Sequence, residues 1–392
     1  MNDVRVGVVG AGFLAETRAR CWAVARQAHV AGVASLRPER AADFAHRHGV
    51  SRVFESVDTM FASPEIDLID LCVPNLIHRP LTEAAAAAGK HVICTKPLTA
   101  YVGQDLGEGA TDADIAGRDR REMLRVAVAD AQAMVDAAVK AGVRLFYGEN
   151  WLYAPAVIRA ARLLEEADTV LLEMRGWECH NGSHSPYSKK WRYTGGGALL
   201  RLGAHPIGTM LSLKRAEGLR RAGKPIRPIG VTADVTDLTA AAGSAEIRVA
   251  TGWEDVENWG CAILHFEDGA RGVAYGSDAV LGGMESRLEL YGANAHLKVN
   301  LSPNDMLRAY APDAGVFGDA YLMEKVDSGG GWSTAMPNED WTSGHFSMCQ
   351  AFADAVRSGG DTPGDGSLGL EATRVVYAAY VAAAEGARVD LT

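Results

Sequence analysis

Residues 4–15, VRVGVVGAGFLA, decide the fold expected for the first part of this chain. An apolar, β-branched run ends in the pattern G-x-G-x-x-A, and a helical pattern follows it directly. Glycines at such a place allow a tight turn and the close approach of backbone N–H groups to an anion, and a helix N-terminus attracts negative charge. The stretch therefore predicts a dinucleotide-binding turn. The residues expected to contact the dinucleotide here are Gly10, Gly12, Phe13 and Leu14.

Length, charge and cysteine usage narrow the class of protein. The chain has 392 residues, which favours two domains over one, and its formal net charge of -10 argues against nucleic acid as a partner. No apolar run approaches the roughly 18–20 residues of a membrane span, and the N-terminal apolar residues fit a strand and not a signal peptide. Six cysteines are scattered without a C-x-x-C pair, so we expect reduced thiols and a cytoplasmic location.

Strand-like and helix-like segments alternate over the first part of the chain, which is typical of βαβ units and a parallel sheet. The expected fold class is α/β, with an N-terminal Rossmann dinucleotide-binding domain over residues 1–149. Strands are predicted at residues 4–9, 29–35, 68–73, 91–94 and 144–147, and helices at 16–27, 38–48, 81–88 and 122–141.

Residues 103–121, GQDLGEGATDADIAGRDRR, interrupt this alternation. They are rich in glycine and charge and contain few large apolar side chains, so the segment is predicted to be an inserted loop. Two interpretations are open: a lid over the cofactor, or a solvated surface insertion.

The pattern changes after residue 150 to longer, alternating strands with hairpin signals. It predicts an α+β domain over residues 150–392 with a large, mostly antiparallel open sheet. A sheet face without helices favours burial against another subunit, so a homodimer or homotetramer is expected. Strands are predicted at 170–177, 227–237, 246–250, 259–266, 269–277, 285–291 and 295–300, and helices at 155–167, 344–358 and 368–384.

The end of the second predicted strand bears on which dinucleotide binds. An acidic residue there usually accepts hydrogen bonds from the ribose of NAD and repels a 2′-phosphate. Residues 33–38 read VASLRP and contain no acid. Ser35 and Arg37 could hold a 2′-phosphate, which favours NADP over NAD. In the alternative, Arg37 is a solvated residue at a helix start and NAD binds with less help.

Two further clusters carry a family resemblance: residues 72–78, CVPNLIH, and residues 89–98, GKHVICTKPL. With the glycine turn they resemble the Gfo/Idh/MocA oxidoreductases, named for glucose-fructose oxidoreductase and inositol dehydrogenase. The resemblance continues through GEN at 148–150, GGGALL at 195–200 and the C-terminal helix, although a threonine stands where the family's EKP motif has glutamate. It implies cofactor contacts from Pro74, Asn75, His78, Thr95 and Lys96.

Lys96 and His205 are predicted to carry the chemistry. A lysine at a strand end beside a proline is held in place, where it can hydrogen-bond a substrate hydroxyl and favour its alkoxide character. A histidine with a near-neutral pKa suits proton transfer from an alcohol, and the resemblance implies that His205 is the acid/base residue. The alternative for Lys96 is a surface lysine beside a structural proline.

The sequence departs from the family's D-x-G-x-H-x-x-D pattern around His205, because Arg201 and Gly208 replace the two aspartates. An arginine one helical turn before the histidine would depress the pKa of its imidazole and attract an anionic group. Three interpretations are open: the substrate is acidic, deprotonation relies on His205 and Lys96 alone, or Arg201 points away into a structural ion pair.

Residues 177–193, WECHNGSHSPYSKKWRY, are dense in aromatic and polar side chains. That composition is typical of a sugar or polyol site, although a polar surface loop is the alternative. Asn150, which alternatively caps the next helix, and Tyr153 are expected in the crevice between the domains. The spacing of the histidines fits no zinc template, and no metal is expected. The predicted substrate contacts are Asn150, Tyr153, Trp177, His180, His184, Trp191, Arg201 and His205.

These features and the resemblance predict an NAD(P)-dependent oxidoreductase. It would transfer hydride between nicotinamide and a hydroxyl-bearing carbon of a sugar, polyol or sugar derivative. One alternative is redox-neutral glycoside cleavage, in which tightly bound cofactor allows transient oxidation, elimination and re-reduction. Another is a non-catalytic dinucleotide-binding sensor. The presence of both Lys96 and His205 argues against a sensor, which has no need of a proton relay.

Overall fold

The computed structural model describes residues 3–183, 185–302, 307–313, 315–318, 330–334 and 338–391. A five-stranded sheet organises the first part of the chain, and all its strands are parallel in the order β2-β1-β3-β4-β5. The strands are almost wholly apolar because helices cover both faces. The expected α/β Rossmann fold is confirmed. The strands are β1 (Val4–Val9), β2 (Ala28–Ala34), β3 (Leu68–Leu71), β4 (His91–Thr95) and β5 (Leu145–Gly148).

The helices of this part begin and end where local sequence signals require. Pro38 opens the second helix and Gly49 ends it in the left-handed conformation at φ 65°. Asp119 caps the sixth by accepting from the backbone N–H groups of two residues of its first turn. The helices are α1 (Phe13–Val24), α2 (Pro38–His48), α3 (Val57–Phe61), α4 (His78–Ala87), α5 (Asp112–Ala116) and α6 (Arg120–Ala141).

The inserted segment at 103–121 is tied to the second half of the chain. The Asp112 carboxylate, at the start of α5, accepts from Arg192 Nε at 2.5 Å and from Lys190 Nζ at 3.1 Å. Arg192 also donates to the carbonyl of Ala110. Opposite charges far apart in sequence therefore anchor the segment, and the choice between a lid and a solvated surface insertion stays a prediction.

A seven-stranded sheet organises the second part, in the order β11-β10-β6-β9-β8-β7-β14. All its neighbouring strands are antiparallel except β6 and β9, so the predicted mostly antiparallel sheet is confirmed. A separate hairpin joins β12 (Arg308–Ala311) to β13 (Gly331–Thr334). The strands of the large sheet are β6 (Leu171–Cys179), β7 (Pro228–Thr236), β8 (Trp259–Phe266), β9 (Arg271–Ser277), β10 (Glu285–Gly292), β11 (His296–Asn300) and β14 (Val389–Asp390).

The strand predicted at 246–250 is wrong, since these residues are irregular. Side chains take the backbone groups that a strand would have paired. The Ala250 N–H donates to Asn181 Oδ1 at 2.7 Å, and the Ala250 carbonyl accepts from Trp253 Nε1 at 3.0 Å. The alternation in the sequence was therefore overridden by local side-chain contacts.

The two faces of the large sheet differ. One face packs against α9, where a Cβ added at Gly176 would lie only 2.4 Å from Pro206 Cβ, so the helix lies close to the strand. On the other face Trp177 and Tyr275 stack at 5.9 Å, and Ile263 is 37% exposed. The helices of this part are α7 (Pro155–Glu166), α8 (Trp191–Thr194), α9 (Ala204–Ala222), α10 (Glu339–Thr342), α11 (His345–Ser358) and α12 (Gly366–Glu385).

The last helices return to the first sheet. Phe352 of α11 stacks on Phe146 of β5 with ring centroids 4.6 Å apart, and α12 packs along α6. The division of the chain at residue 149/150 stays a prediction, because this packing joins the two halves. Among the described residues, no helix is both long and apolar enough to cross a membrane.

Candidate active site

The turn between β1 and α1 has the geometry of an anion site. Gly10 has φ +106°, and a Cβ there would lie 2.3 Å from the Cys72 carbonyl oxygen, so only glycine fits. Gly12 precedes α1 without a side-chain cap on the helix N–H groups, and a Cβ added to it would meet nothing within 4 Å. Open space in front of uncapped N–H groups fits the pyrophosphate of a dinucleotide.

The other residues proposed for the cofactor follow the carboxyl ends of neighbouring parallel strands. Ser35 and Arg37 lie in the turn after β2, where Ser35 Oγ accepts from the Arg37 N–H at 3.3 Å and the arginine is exposed. Pro74 and Asn75 follow β3, and Asn75 Nδ2 donates to the carbonyl of Thr194 in α8 at 2.9 Å. Thr95 ends β4. This edge of a parallel sheet is where such folds bind ligands.

His78, a predicted cofactor contact, lies in the interior behind the ends of β3 and β4. It is fully buried, with Nδ1 3.1 Å from the Leu98 carbonyl and Nε2 3.0 Å from the Val73 carbonyl. Burial lowers the pKa of this imidazole. The ring therefore braces the turn that carries Lys96, because it links the ends of two neighbouring strands.

Lys96 reaches from that turn to the second half of the chain. Its ammonium group donates to the backbone carbonyl of Arg201, in the π-helical turn Leu199–Gly203 that opens into α9. The peptide bond between Lys96 and Pro97 is cis. The lysine is therefore held at the boundary between the two sheets and is not a solvated surface residue.

A buried carboxylate fixes the backbone before the π-helical turn. Glu257 accepts from the N–H groups of Gly197 and Leu199, each at 3.0 Å, and from the Tyr380 hydroxyl at 2.7 Å. Burial raises the pKa of this carboxyl group. A Cβ at Gly197 would lie 1.9 Å from the Glu257 carbonyl oxygen, so the triple glycine serves close packing. Irregular turns of this kind occur frequently at functional sites.

His205 lies one residue into α9, and a carboxylate and an aromatic ring surround it. Its Nδ1 is 2.6 Å from Glu149 Oε1, and its ring stacks on Trp151 with centroids 5.6 Å apart. Burial lowers the pKa of His205, the Lys96 charge lowers it further, and Glu149 opposes both. The expected direction is the same, but its cause is burial and Lys96 and not Arg201.

Arg201 forms an ion pair with Asp278, the residue after β9. Only 13% of its side chain is exposed, and its guanidinium lies 5.7 Å from the ring centroid of Trp253. His180 Nδ1 is 3.9 Å from the same aspartate. Of the three interpretations, this geometry matches the structural ion pair.

Several predicted substrate contacts lie elsewhere. Asn150 Nδ2 donates to the Ser343 carbonyl at 2.7 Å, and the buried Tyr153 bonds to the Thr362 hydroxyl at 3.0 Å. Trp191 is buried and donates to the Tyr101 carbonyl at 3.0 Å. Trp177 is on the opposite face of the sheet, because successive strand residues alternate. Asn150, Tyr153 and Trp191 therefore pack the interior, whereas Trp177 lies on the sheet face away from α9. His184 lies outside the described residues.

Sequence reasoning missed four residues that the structure brings to this region. Glu149 had a signal, since it is an acid directly after a strand end within the GEN motif, and Trp151 adjoins that motif. The others had none, because they come from distant elements. The four are Glu149, Trp151, Trp253 and Asp278. The nearby His345 lies at the start of α11, where burial strongly lowers the pKa of its imidazole and the charges of His205 and Lys96 lower it further.

No group of three or more metal-ligating side chains lies together within the part of the chain that the structure describes. All six cysteines are free thiols, and most are buried. The site therefore consists of a dinucleotide turn, a lysine, a histidine–carboxylate pair and a charge-balanced arginine.

A parallel dinucleotide-type sheet joined to an open mixed sheet, with Lys96 and His205 between them, defines a two-part nucleotide-binding protein. Residues 4–113 match the model of an oxidoreductase family with an NAD-binding Rossmann fold, and residues 170–298 match that of the GFO/IDH/MocA C-terminal domain. The chain belongs to the Gfo/Idh/MocA family, and its first part is an NAD-binding Rossmann domain.

Relatives of this chain carry sugar names. Levoglucosan dehydrogenase of Pseudarthrobacter phenanthrenivorans is 28% identical over 221 residues, which is 53% of this chain and 50% of the relative. D-apiose dehydrogenase of Paraburkholderia graminis is 26% identical over 41% of this chain and 36% of the relative. The chain thus matches half or less of the length of these two relatives.

Solved structures share the fold over the full length. GenD2 from gentamicin A biosynthesis, in complex with NAD, superposes with a TM-score of 0.79 at 24% identity, over 100% of this chain and 97% of that one. Levoglucosan dehydrogenase in complex with NADH and L-sorbose gives a TM-score of 0.72 at 22% identity, over 100% of both chains. At these identities the likeness concerns the fold.

Proposed function

We propose that the protein is an NAD(P)-dependent oxidoreductase acting on a hydroxyl group of a sugar, polyol or sugar derivative. One observation carries the proposal. The Lys96 ammonium group, which follows a strand of the dinucleotide-binding sheet, donates to the Arg201 carbonyl one helical turn before His205, in the helix on the other sheet. A fixed cation and a neutral imidazole are what the oxidation of an alcohol requires.

In the oxidation direction, neutral His205 accepts the hydroxyl proton, and the Lys96 ammonium stabilises the oxygen as negative charge develops. The nicotinamide, when bound, supplies the hydride acceptor. Gly10 and Gly12 orient the dinucleotide through the backbone at the start of α1. Trp151 and Glu149 hold the imidazole plane, so the reacting groups are already positioned before the substrate enters.

The charges beside Lys96 support a neutral substrate in preference to a sugar acid. Arg201 is paired with Asp278, so the arginine charge is neutralised within the protein and does not serve to attract a carboxylate. The relatives named for levoglucosan and D-apiose also carry the names of uncharged sugars.

A panel of neutral sugars, inositols and uronic acids, each with NAD and with NADP, tests the proposal by nicotinamide absorbance and product analysis. We expect reduced nicotinamide with at least one neutral sugar or polyol and none with uronic acids. Dinucleotide binding without turnover would instead identify a sensor. Glycoside cleavage without net reduced nicotinamide would identify the redox-neutral reaction.

The choice between NAD and NADP depends on the turn after β2, and we propose that Ser35 and Arg37 bind the 2′-phosphate of NADP. Arg37→Ala should weaken NADP binding roughly ten- to a hundredfold, as expected for one charge-assisted contact, and leave NAD binding unchanged. Arg40→Ala, which removes an exposed arginine one turn later in α2, is the matched control. Equal effects on both dinucleotides in titration calorimetry would contradict the assignment.

We also propose that the chain forms a homodimer or homotetramer through the sheet face that carries Trp177, Tyr275 and Ile263. The stacked rings and the partly exposed isoleucine supply apolar area on that face. Light scattering after gel filtration measures the mass. A monomer at micromolar concentration would contradict the proposal.

A further inference from the structure

We propose that Glu149 is the positioning residue for proton transfer at His205, and that its carboxylate takes the place left free by Gly208. The inference deepens the proposed function and rests on it, because it assigns how the acid/base histidine is kept in its working state. Glu149 comes from the end of β5, whereas His205 and Gly208 belong to α9.

The contacts of Glu149 fix the proton on one side of the imidazole. Its Oε1 accepts from the Trp151 N–H at 3.1 Å and lies 2.6 Å from His205 Nδ1. A buried carboxylate is only an acceptor, so Nδ1 carries the proton and donates it. The lone pair is then left on Nε2, the nitrogen that can take a proton from a substrate hydroxyl.

The second oxygen of the carboxylate shows that this arrangement is not optimised for stability. Glu149 is wholly buried, and its Oε2 has no hydrogen-bond partner in the described part of the chain. An unsatisfied buried charge is costly, because it has lost its contacts with water. A fold that needed only packing here would be better served by an apolar residue. A negative charge at this position gains its use when His205 becomes an imidazolium.

Gly208 explains why the carboxylate can come from a strand end. It lies inside α9, where glycine is less favourable than alanine. A Cβ added there would lie 3.4 Å from Glu149 Cγ and 4.0 Å from its Cδ. The stem of Glu149 therefore occupies the space that a longer side chain at 208 would enter. Position 208 is also where the D-x-G-x-H-x-x-D pattern has its second aspartate.

The proton balance of the step follows from these contacts. The substrate hydroxyl proton moves to His205 Nε2, the Nδ1 proton stays in the bond to Glu149, and the imidazolium is paired with the carboxylate. In the reverse direction the same proton returns to the product oxygen. Glu149 itself acts through His205 and does not touch the substrate.

Glu149→Gln is the first test. It removes the negative charge and lets an amide donor face Nδ1, which favours the wrong tautomer. We expect kcat to fall about 10- to 100-fold, as for a misplaced catalytic group, with KM little changed. Because the carboxylate favours the imidazolium, its loss should move the acid limb of the pH profile to lower pH. Glu217→Gln neutralises a buried carboxylate paired with Lys214 and is the control. It should leave kcat and the position of the acid limb unchanged.

The second test moves the carboxylate from position 149 to position 208. Glu149→Ala should lower kcat to a similar degree. The double variant Glu149→Ala/Gly208→Asp should have a kcat at least tenfold higher than Glu149→Ala alone, and its acid limb should return toward the original position. The exchange is chosen because Glu149→Ala vacates the space in front of position 208. No recovery in a double variant that binds dinucleotide normally would overturn the spatial part of the inference.

A tautomer measurement separates failure of the inference from failure of the proposed function. Long-range proton–nitrogen spectra of protein labelled in histidine report which nitrogen is protonated, and His205→Asn assigns the signal. We expect His205 with its proton on Nδ1 in the native chain and a change in Glu149→Gln. A proton on Nε2 in the native chain would overturn the inference even if no substrate were found. If the tautomer is as expected but no substrate is turned over, the proposed oxidoreductase function is refuted and the pairing of Glu149 with His205 is not.

Discussion

Replacing His205 with asparagine is expected to lower kcat by about 10²–10⁴-fold, the usual contribution of a positioned general acid/base. Asparagine keeps a polar group next to Glu149 but cannot titrate near neutral pH. Dinucleotide affinity should change little, since His205 is not part of the glycine turn. Steady-state kinetics and fluorescence titration with the dinucleotide measure the two effects separately.

The matched control for this variant is His265→Asn. His265 is a half-buried histidine of β8 that bonds to Thr232, far along the chain from the Lys96 turn. It should leave kcat unchanged. A near-normal kcat in His205→Asn would remove this histidine from the mechanism, and the sensor or a different base would then become the better explanation.

Replacing Lys96 with methionine is expected to cause a loss of kcat of the same order, about 10²–10⁴-fold, because the length is kept while the charge and the donor are removed. Lys90→Met is a close control. Lys90 directly precedes β4, whereas Lys96 directly follows it. The Lys90 ammonium group also donates to backbone carbonyls, those of Ser63 at 2.7 Å and Ile66 at 2.8 Å. A similar loss in both variants would show that packing, and not chemistry, explains the effect.

The pH profile gives Lys96→Met a signature that a merely structural change lacks. Burial and the Lys96 charge hold the pKa of His205 below its usual value of about 6.5, so the acid limb of the native enzyme should lie below that pH. Removing the ammonium favours the imidazolium, so the limb should move to higher pH. Lys90→Met should leave the limb in place, because Lys90 precedes β4 and its ammonium group donates to the carbonyls of Ser63 and Ile66.

The sequence was a good guide wherever the signal is local. The glycine turn, the alternation of strands and helices and the C-terminal helices each depend on neighbouring residues, and the structure bears them out. The strand prediction at 246–250 was wrong because side-chain contacts outweighed the local pattern. Its residues alternate as in a strand, but the side chains of Asn181 and Trp253 bond to the N–H and the carbonyl of Ala250.

The site could be predicted only in part. Lys96 and His205 stand in motifs, so their types and neighbours were informative. Trp177 and Trp191 were predicted from the aromatic and polar composition of their segment, and Tyr153 from its position after a strand. Trp191 and Tyr153 are buried, because large aromatic groups fill interiors as readily as they line sugar sites. Asp278 had no signal, because nothing in residues 271–280 distinguishes a carboxylate that faces Arg201 from one that faces water.

By itself, the sequence determined the Rossmann domain and the second sheet, and it predicted the pair of groups proposed for proton transfer, because backbone propensity and short motifs act over a few residues. Only the tertiary structure decided the electrostatics. Glu149 meets His205 across 56 positions and Asp278 meets Arg201 across 77. Charges interact through space, and burial strengthens them, so the state of a titrating group is set by neighbours that its own segment of sequence does not contain.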